Sequence, residues 1–433
     1  MAAKKRLLIW GDSPTVKTGF GIVAKNLFRD LHQHFDVAIL GVNYFGLQQY
    51  DQSKYFIYSC DRMDLMGFER FPLILNDFKP EIVLLYQDIF NIDFALPHVK
   101  KWNKDVPVLA YFPIDGSPVN TAWKNALEIP QKLITYTQWG VDSIVDRFPE
   151  LGSKKIEYLY HGVDTTVFKP LPSGARKMFK QEHNWDNKFI VISVNRFQPR
   201  KMLSVAIRAH ALFTKGYKEC ACGNLYLRSK SKCDLNGCGP DKVIAEVEGH
   251  DDALMYVHAN ATERMMGPGG SNTLQAHMLN CGFRDEDVNK TIAMFGGNIY
   301  ETPLPDEELN ILYNIADVNV STTLGEGIGL SLLEASACGT TSIAPQHSSI
   351  PEMLGTTGHI VPNSALINIA LDNGHFRPIV NLKLYMDALE QEYQKWLANG
   401  RKKVVNMDAV ARVNDLFMWD DKRSKMLSWL SEY

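Results

Sequence analysis

The sequence predicts an α/β protein made of two doubly wound, Rossmann-like halves that face a cleft. Three observations support this. Short apolar runs alternate with amphipathic helical runs over the first 165 residues, a Pro- and Gly-containing segment at 168–174 interrupts them, and the alternation then restarts. A chain of 433 residues is also too long for one ordinary core. We therefore expect two parallel sheets, each covered by helices on both faces.

Ten apolar runs are expected to form the strands, because each is short and bounded by turn residues. In the first half they are RLLIW (6–10), VAIL (37–40), IVLLY (82–86), PVLAYF (107–112) and KLITYT (132–137). In the second half they lie within 189–197, 253–260, 291–296, 317–323 and 341–345. Ligands of such folds bind at the carboxyl ends of the strands, so a cleft between the halves is the expected site.

Composition limits the possible partners and setting. A hydrophobic content of 45% with 22% charged residues is that of a soluble globular protein, and no window reaches the 18 apolar residues of a membrane helix. The apolar run near the N-terminus is too short for a signal peptide, which favours a cytoplasmic setting. A net charge of −3 argues against a broad nucleic-acid-binding face, although local basic patches can still exist.

The first candidate motif is GDSPTVKTGFGIVAKNL (11–27), directly after the first expected strand. Gly19 and Gly21 would let the backbone approach a ligand closely, and the helix that follows would direct its N–H groups at the cleft. The pattern is not G-x-G-x-x-G, so it gives little support to dinucleotide binding. An ordinary tight turn explains this stretch equally well.

The second candidate motif is SVNRFQPRK (193–201), in the loop after the first strand of the second half. Arg196 offers a planar fork of donors and Lys201 a point charge, and together they suit a diphosphate. The alternative is a solvated surface loop, since most charged runs are solvated.

The third candidate motif is EGIGLSLLE (326–334). Glu326 is expected in a strand-to-helix loop and Glu334 inside the helix, with the free N–H groups of the helix start between them. A ligand with hydroxyls at two ends and phosphates in the middle would fit this arrangement. The alternative is that Glu326 only stabilises the helix by interacting with its dipole. This alternative does not account for Glu334.

Two further polar residues follow first-half strands. Asp115, in YFPIDGSP (111–118), could accept hydrogen bonds from ligand hydroxyls, or it could belong to an ordinary Asx turn. His161, in YHGVD, is interpreted as a structural histidine.

A cysteine-rich insert spans 216–242. Four cysteines follow the pattern C-x-C-x10-C-x4-C, namely Cys220, Cys222, Cys233 and Cys238. Four thiolates suit a closed tetrahedral Zn²⁺ site in a segment that has little core of its own, and they leave no open position for catalysis. Disulfides or unconnected thiols are the alternatives.

Together, these motifs resemble the retaining, nucleotide-sugar-dependent glycosyltransferases of the GT-B fold, family 4 (group 1) type. The segment HGVDTTVFKP is similar to the one that closes the family's first domain, with His161 in place of Asn. VNRFQPRK is similar to its G-R-[LF]-x-x-x-K loop, and EGIGLSLLE fits its E-x7-E motif. ACGTTSIAP and the final FMWDDKRSKML resemble two later family segments.

The resemblance implies the following domain limits. An N-terminal acceptor-side domain spans 1–167, a linker 168–187, a C-terminal donor-nucleotide-binding domain 188–412, and a final helix packing back on the first domain 413–433.

The resemblance also implies roles for the site residues. Arg196 and Lys201 would hold the donor diphosphate and stabilise the departing charge without Mg²⁺, helped by the backbone amides near Gly329, Leu330 and Ser331. Glu326 would bind the donor sugar hydroxyls and Glu334 the nucleotide ribose. Gly19 and Gly21 would pass close to the phosphates, and Asp115 would lie near the sugar.

The acceptor is a separate question. The opening GDSP-x3-TGFG and the stretch MLNCGFRDEDV (278–288) resemble glycosyltransferases of tailed phages, some of which are thought to modify hydroxymethylated pyrimidines in DNA. A DNA acceptor in a host cytoplasm is therefore one hypothesis. A polysaccharide or lipid-linked glycan acceptor is a second, and a sugar-nucleotide-binding protein without catalysis is a third.

Overall fold

The structure is a computed structural model of the chain. It describes residues 3–153, 156–235, 238, 242–260, 274–295, 304–369 and 372–433. Gly296, at the end of one expected strand, and residues 236–237 and 239–241 of the insert lie outside the described residues.

The first half is built on a seven-stranded parallel sheet, and the expected strands are all present in it. Its strands are β1 (Arg6–Asp12), β2 (Asp36–Val42), β3 (Phe56–Ser59), β4 (Ile82–Tyr86), β5 (Val108–Phe112), β6 (Lys132–Thr135) and β7 (Ile156–Tyr158). The helices around it are α1 (Gly19–Leu27), α2 (Phe71–Phe78), α3 (Ile89–Trp102), α4 (Lys124–Glu128) and α5 (Gln138–Arg147). The central strands β4 and β5 are buried along their whole length, as their unbroken apolar runs require.

The second half contains a six-stranded parallel sheet, a small sheet in the cysteine-rich insert and a hairpin. The strands are β8 (Phe189–Val194), β9 (Tyr217–Cys220), β10 (Leu225–Leu227), β11 (Val243–Val247), β12 (Ala253–His258), β13 (Ile292–Met294), β14 (Val318–Val320), β15 (Thr341–Pro345), β16 (His359–Val361), β17 (Asn363–Ile367) and β18 (Arg377–Val380). The helices are α6 (Ser173–Glu182), α7 (Leu203–Lys215), α8 (Leu274–Asn280), α9 (Asp306–Ile315), α10 (Leu330–Ala337), α11 (Ile350–Leu354), α12 (Leu382–Ala398), α13 (Met407–Leu416) and α14 (Trp419–Leu430).

Both parallel sheets have the doubly wound strand order. The first runs β3-β2-β1-β4-β5-β6-β7 and the second β13-β12-β8-β14-β15-β16. In each sheet the order reverses beside the first strand, between β1 and β4 and between β8 and β14. Loops diverge at such a switch point and leave a crevice at the carboxyl ends of the strands. The expected fold of two Rossmann-like halves with a cysteine-rich insert is therefore confirmed.

The C-terminal helices join the two halves. Helix α13 packs on α10 of the second half, and α14 packs on α1 of the first. Between them, the carbonyl of Phe417 accepts a hydrogen bond from the backbone N–H of Val163 at 2.8 Å. The segment 168–187, expected as a linker, contains the ten-residue helix α6, which has no fully buried residue and packs on α9.

Several elements were not expected from the sequence. The edge strands β3, β7 and β16 have only three or four residues and are only partly buried, so their apolar signal is weak. The β17–β18 hairpin is mostly exposed or half-buried on β17, and no alternating pattern marks it. Within the described ranges, none of the helices combines the length and the apolar character that a membrane crossing needs.

A carboxylate of the second half caps a helix of the first. Glu352 on α11 accepts hydrogen bonds from the backbone N–H groups of Gln138 and Trp139, which begin α5, and from the Tyr160 hydroxyl at 2.9 Å. Thr137 caps the next free N–H of the same helix, that of Gly140. Because N-terminal amides have no partner inside the helix, Glu352 completes the cap across the two halves.

We expect Glu352→Ala to lower the free energy of unfolding by about 1–3 kcal/mol, because it leaves two helix amides and a hydroxyl without their acceptor. Urea-induced unfolding followed by circular dichroism measures the change. Glu69→Ala, which removes an exposed carboxylate elsewhere on the first half, is the matched control. Equal stability of the two variants would contradict the bridging role.

Candidate functional site

On the first half, a polar network organises the loop that follows β1. Asp12, the last residue of β1, is buried and accepts hydrogen bonds from the Thr18 hydroxyl and from Nε2 of Gln87 at 2.6 Å. Thr18 in turn caps α1 by accepting from the N–H of Gly21 at 2.9 Å. The network therefore fixes the start of α1 relative to the ends of β1 and β4, at the switch point.

The two glycines of this loop have different surroundings. A side chain at Gly19 would meet no atom within 4 Å, so its backbone faces open space. A Cβ at Gly21 would lie 2.2 Å from the carbonyl oxygen of Val16, so glycine is required there by the turn itself.

On the second half, the loop after β8 carries three cations. Residues 199–201 form one turn of 3₁₀-helix, which places Arg200 and Lys201 next to the loop after β14. Lys201 Nζ forms an ion pair with Glu326 Oε1. Burial lowers the pKa of Lys201 to about 8, despite the opposing effect of Glu326. Arg196 lies at the start of the same loop with an exposed side chain.

Arg200, the neighbour of Lys201, bridges the two halves. Its guanidinium donates to the carbonyl of Gly325 at 2.8 Å and lies 3.9 Å from a Glu326 carboxylate oxygen. The same group lies 3.5 Å from Asp115 Oδ2, on the first half. Arg200 therefore connects the expected sugar-side residue Asp115 with the expected donor residue Glu326.

The loop between β14 and α10 holds Glu326 firmly. Glu326 is 8% exposed, its N–H donates to the Ser348 hydroxyl at 2.9 Å, and its carbonyl accepts a hydrogen bond from the Ser349 hydroxyl at 2.9 Å. Gly329 follows at φ +79°, a left-handed conformation that favours glycine, and it provides no side chain to cap α10. Within the described residues, the N–H groups of Leu330 and Ser331 therefore belong to a helix start beside Glu326 that no N-cap side chain covers.

Glu334 lies one helical turn into α10 and contacts α9. Its carboxylate accepts a hydrogen bond from the Tyr313 hydroxyl at 3.0 Å. Burial raises the pKa of Glu334 to about 8. No cation among the described residues pairs with Glu334, so its ionised form is costly there, which is consistent with a role in binding a ligand.

Asp115 is held by the β17–β18 hairpin of the opposite half. Arg377 is 1% exposed, its Nη2 lies 3.1 Å from Asp115 Oδ1, and its Nη1 donates to the Asp115 carbonyl. Asp372 pairs with the same guanidinium through two contacts, at 2.6 and 2.9 Å. Burial alone would raise the pKa of Asp115, but Arg200 and Arg377 outweigh it and lower the pKa to about 2.

Asp88 is a second first-half carboxyl near this network. It ends the loop from β4 to α3 as the N-cap residue of α3, at the first-half switch point, and it is half-buried. Burial, together with repulsion by Asp115, raises the pKa of Asp88 to about 7, against the attraction of Arg200. Of these two first-half carboxyls, Asp115 is therefore ionised throughout the neutral range and Asp88 titrates within it.

The remaining predicted residues lie away from this network. His161 is buried in an aromatic cluster, with its ring centroid 4.2 Å from that of Tyr136, as expected of a structural histidine. Cys220, Cys222, Cys233 and Cys238 form a cluster in the insert that could hold a metal ion.

Three residues at the site are not among the candidates predicted from the sequence, although the sequence around two of them offers a clue. Arg200 stands next to Lys201 in the same motif, and Asp88 lies two residues after the apolar run 82–86. The sequence offers no such clue for Arg377, because it lies in a hairpin 262 residues away from Asp115.

The chain resembles solved structures over its whole length. A sucrose-phosphate synthase from Thermosynechococcus elongatus aligns with a TM-score of 0.65 at 15% identity, covering 99% of this chain and 98% of that one. A glycosyltransferase from Rickettsia africae aligns with a TM-score of 0.66 at 13% identity, covering 100% and 99%. Anabaena HepE in complex with UDP-glucose aligns with a TM-score of 0.63 at 12% identity, covering 99% and 100%.

The protein has the GT-B fold. The sequence profile of the family described as glycosyl transferases group 1 matches residues 258–371, about a quarter of the chain. That segment includes Glu326, the start of α10 and Glu334, but not the Arg196–Lys201 loop. No curated protein sequence matches the chain at a significant level.

The raised pKa of Glu334 leads to a prediction about stability. With a folded pKa of about 8 against an ordinary value of 4.5, this group makes the protein progressively less stable as the pH rises from about 4.5 to 8. Glu334→Gln keeps an acceptor for Tyr313 but removes the titration. We expect the variant to gain on the order of 1–2 kcal/mol over wild type at pH 9, allowing for partial exposure, and little below pH 4.5.

Unfolding by urea at pH 4, 7 and 9 tests this expectation. Glu308→Gln, at an exposed carboxyl on α9, is the control and should show no such trend. A difference between wild type and Glu334→Gln that does not grow with pH would show that Glu334 is ionised without cost.

Proposed function

We propose that the protein is a retaining glycosyltransferase that moves a sugar from a nucleoside-diphosphate sugar to an acceptor hydroxyl, without a catalytic metal ion. The observation that carries the proposal is the Lys201–Glu326 ion pair beside the start of α10, connected through Arg200 to Asp115 on the facing half. The group 1 match over 258–371 and the likeness to a structure complexed with UDP-glucose support it.

In this proposal the second half binds the donor. Arg196 and Lys201, with Arg200, contact the diphosphate, and the amides of Leu330 and Ser331 next to Gly329 contribute further donors. Glu334 accepts hydrogen bonds from the ribose hydroxyls, and Glu326 accepts them from the hydroxyls of the donor sugar. The loop that holds Gly19 and Gly21 approaches the phosphates from the other half. Lys201 and Arg200 are paired with Glu326 and Asp115. A bound diphosphate would replace a carboxylate as their anionic partner.

The chemistry follows from where charge develops. When the sugar–phosphate bond breaks, the diphosphate gains negative charge, and fixed cations with helix amides stabilise it in the way a divalent ion does elsewhere. With a pKa of about 8, most Lys201 side chains carry a proton at pH 7. Asp115 stays ionised, so it accepts a hydrogen bond from a sugar hydroxyl and does not act as an acid.

For the stereochemical course we propose departure and attack on the same face of the sugar. The acceptor hydroxyl gives its proton to the departing diphosphate oxygen, so the protein needs no nucleophile of its own. The cysteine cluster has no part in the transfer, because it lies in the insert and four thiolates leave no open position on a bound ion.

Two acceptor classes are retained. The resemblance of residues 11–21 and 278–288 to tailed-phage enzymes favours a hydroxymethylated pyrimidine in DNA. The insert gives this class little support, since Arg228 is paired with Glu246 and Glu248, and Lys230 with Asp234. A polysaccharide or lipid-linked glycan is the alternative, and a binding protein without catalysis is the alternative outside enzymes.

We expect Lys201→Ala to lower the kcat of donor hydrolysis or transfer by about 10²-fold or more, because a fixed donor to the departing charge is lost. Lys177→Ala, at an exposed lysine on α6, is the control. Activity is measured with a panel of nucleoside-diphosphate sugars, with Mg²⁺ and Mn²⁺ omitted. Wild-type rates in the Lys201 variant would reject the proposed site, and binding without turnover by the wild type would favour the non-catalytic alternative.

The acceptor is tested by incubating enzyme and donors with hydroxymethylcytosine-containing DNA and weighing the nucleosides by mass spectrometry. A DNA acceptor predicts a gain of one sugar mass and a binding affinity that falls steeply with salt concentration. No gain in mass with any donor would remove the DNA hypothesis and leave the glycan acceptor.

Retention is tested on whichever product forms, by measuring its anomeric configuration by NMR. A configuration opposite to that of the donor would contradict retention.

A further inference from the structure

The insert between α7 and β12 is too small to have an ordinary hydrophobic core. Its sheet has three short antiparallel strands in the order β10-β9-β11. The buried cluster of the insert consists of Cys220, Tyr226 and Cys233, with Cys238 and Val243 partly buried beside it. Thiols therefore occupy the positions where a larger domain would place aliphatic side chains, and they contribute little apolar area.

The four thiols converge on one point. Their Sγ atoms all lie within 4.8 Å of one another, and those of Cys222 and Cys233 are 3.8 Å apart. A tetrahedral ion with metal–sulfur bonds of about 2.3 Å requires sulfur–sulfur distances of about 3.8 Å. A disulfide requires about 2.05 Å. The spacing thus fits thiolates around an ion, and all seven cysteines of the chain are free.

We propose that Cys220, Cys222, Cys233 and Cys238 bind one Zn²⁺ in a closed, structural site. Cys220 is 1% exposed and Cys233 5%, so these two ligands are shielded from solvent. Four thiolates complete the coordination of Zn²⁺ and leave no position for a substrate or water. The site is independent of the proposed glycosyl transfer.

The backbone around the first two ligands supports the site. The carbonyl of Cys220 accepts a hydrogen bond from the N–H of Gly223 at 2.7 Å, and Gly223 has φ +84°. This tight turn reverses the chain directly after Cys222 and brings Cys220 and Cys222 to the same cluster. The site is thus built by a turn that needs its glycine, and not by chance proximity of side chains.

A side chain next to the ligands connects the cluster to α7. Asn224 Nδ2 donates to Cys233 Sγ at 3.3 Å, and Asn224 Oδ1 accepts from Arg208 Nη2 at 3.2 Å. Arg208, on α7, also donates to the carbonyl of Leu225 at 2.8 Å. Since α7 begins two residues after Lys201, the ion holds the insert against the helix that follows the diphosphate loop.

Metal analysis of the full-length protein tests the proposal. We expect one zinc per chain in protein purified under reducing conditions, and its loss in Cys220→Ser/Cys233→Ser. Cys60→Ser/Cys281→Ser, which removes two thiols outside the cluster, is the control and should keep the zinc. Replacement by Co²⁺ should give the visible bands of tetrahedral cobalt with thiolate ligands.

Three outcomes would overturn the assignment. They are a wild-type protein that takes up no zinc when Zn²⁺ is supplied, intact-mass evidence that cluster cysteines form disulfides in reduced buffer, and iron as the bound metal. Loss of zinc from the Cys60/Cys281 control as well would also count against the site. If the doubly substituted cluster variant is insoluble, the cobalt spectrum of the wild type decides.

The role of Asn224 gives a second, finer test. Partners of metal ligands typically contribute 10–100-fold to metal affinity, so Asn224→Ala should weaken zinc binding by about 10-fold or more in competition with a chelator. Arg228→Ala, which removes a salt-bridging side chain of the same insert, should leave the affinity unchanged. Hydrogen exchange should rise in 216–235 when the metal is removed, and stay unchanged in β4 and β5. Equal affinities of the two variants would rule out the Asn224 connection.

Discussion

A chain of buried and half-buried charges across the cleft is the interaction on which the rest of the site depends. Lys201 pairs with Glu326, Arg200 reaches both Glu326 and Asp115, and Arg377 holds Asp115 from the far side. Each member is costly to bury alone, and only their alternation makes the arrangement tolerable. Removing or adding one charge therefore changes the environment of all the others, which makes the network sensitive to an anionic ligand.

The two sheets explain why these charges meet. In a doubly wound sheet, the loops on either side of the switch point diverge, so polar side chains there are not covered by the next helix. Here both switch points contribute: Asp88 follows β4, while the cation loop and the Glu326 loop follow β8 and β14. The surrounding strands are buried and apolar, so the side chains beside them lose contact with water. This desolvation raises the pKa values of Asp88 and Glu334 and lowers that of Lys201.

The sequence was sufficient for the fold because each central strand is buried on both faces and appears as an unbroken apolar run. It was less informative at the margins, where β3, β7 and β16 are short and half-exposed. It was also sufficient to nominate Lys201, Glu326 and Asp115, since each follows such a run. It could not reveal Arg377, because the pairing of Arg377 with Asp115 depends on how a hairpin crosses between halves and has no local pattern. The chemical roles of the site residues stay predictions.

The Glu352 cap has a consequence for how the protein moves. The Glu352 carboxylate of the second half accepts hydrogen bonds from two backbone amides and one tyrosine hydroxyl of the first. Any rotation that widens the crevice would therefore expose all three donors to water together. These three hydrogen bonds form only when the two halves are as close together as they are here. Opening of the crevice is therefore expected to be cooperative, because the three hydrogen bonds break together.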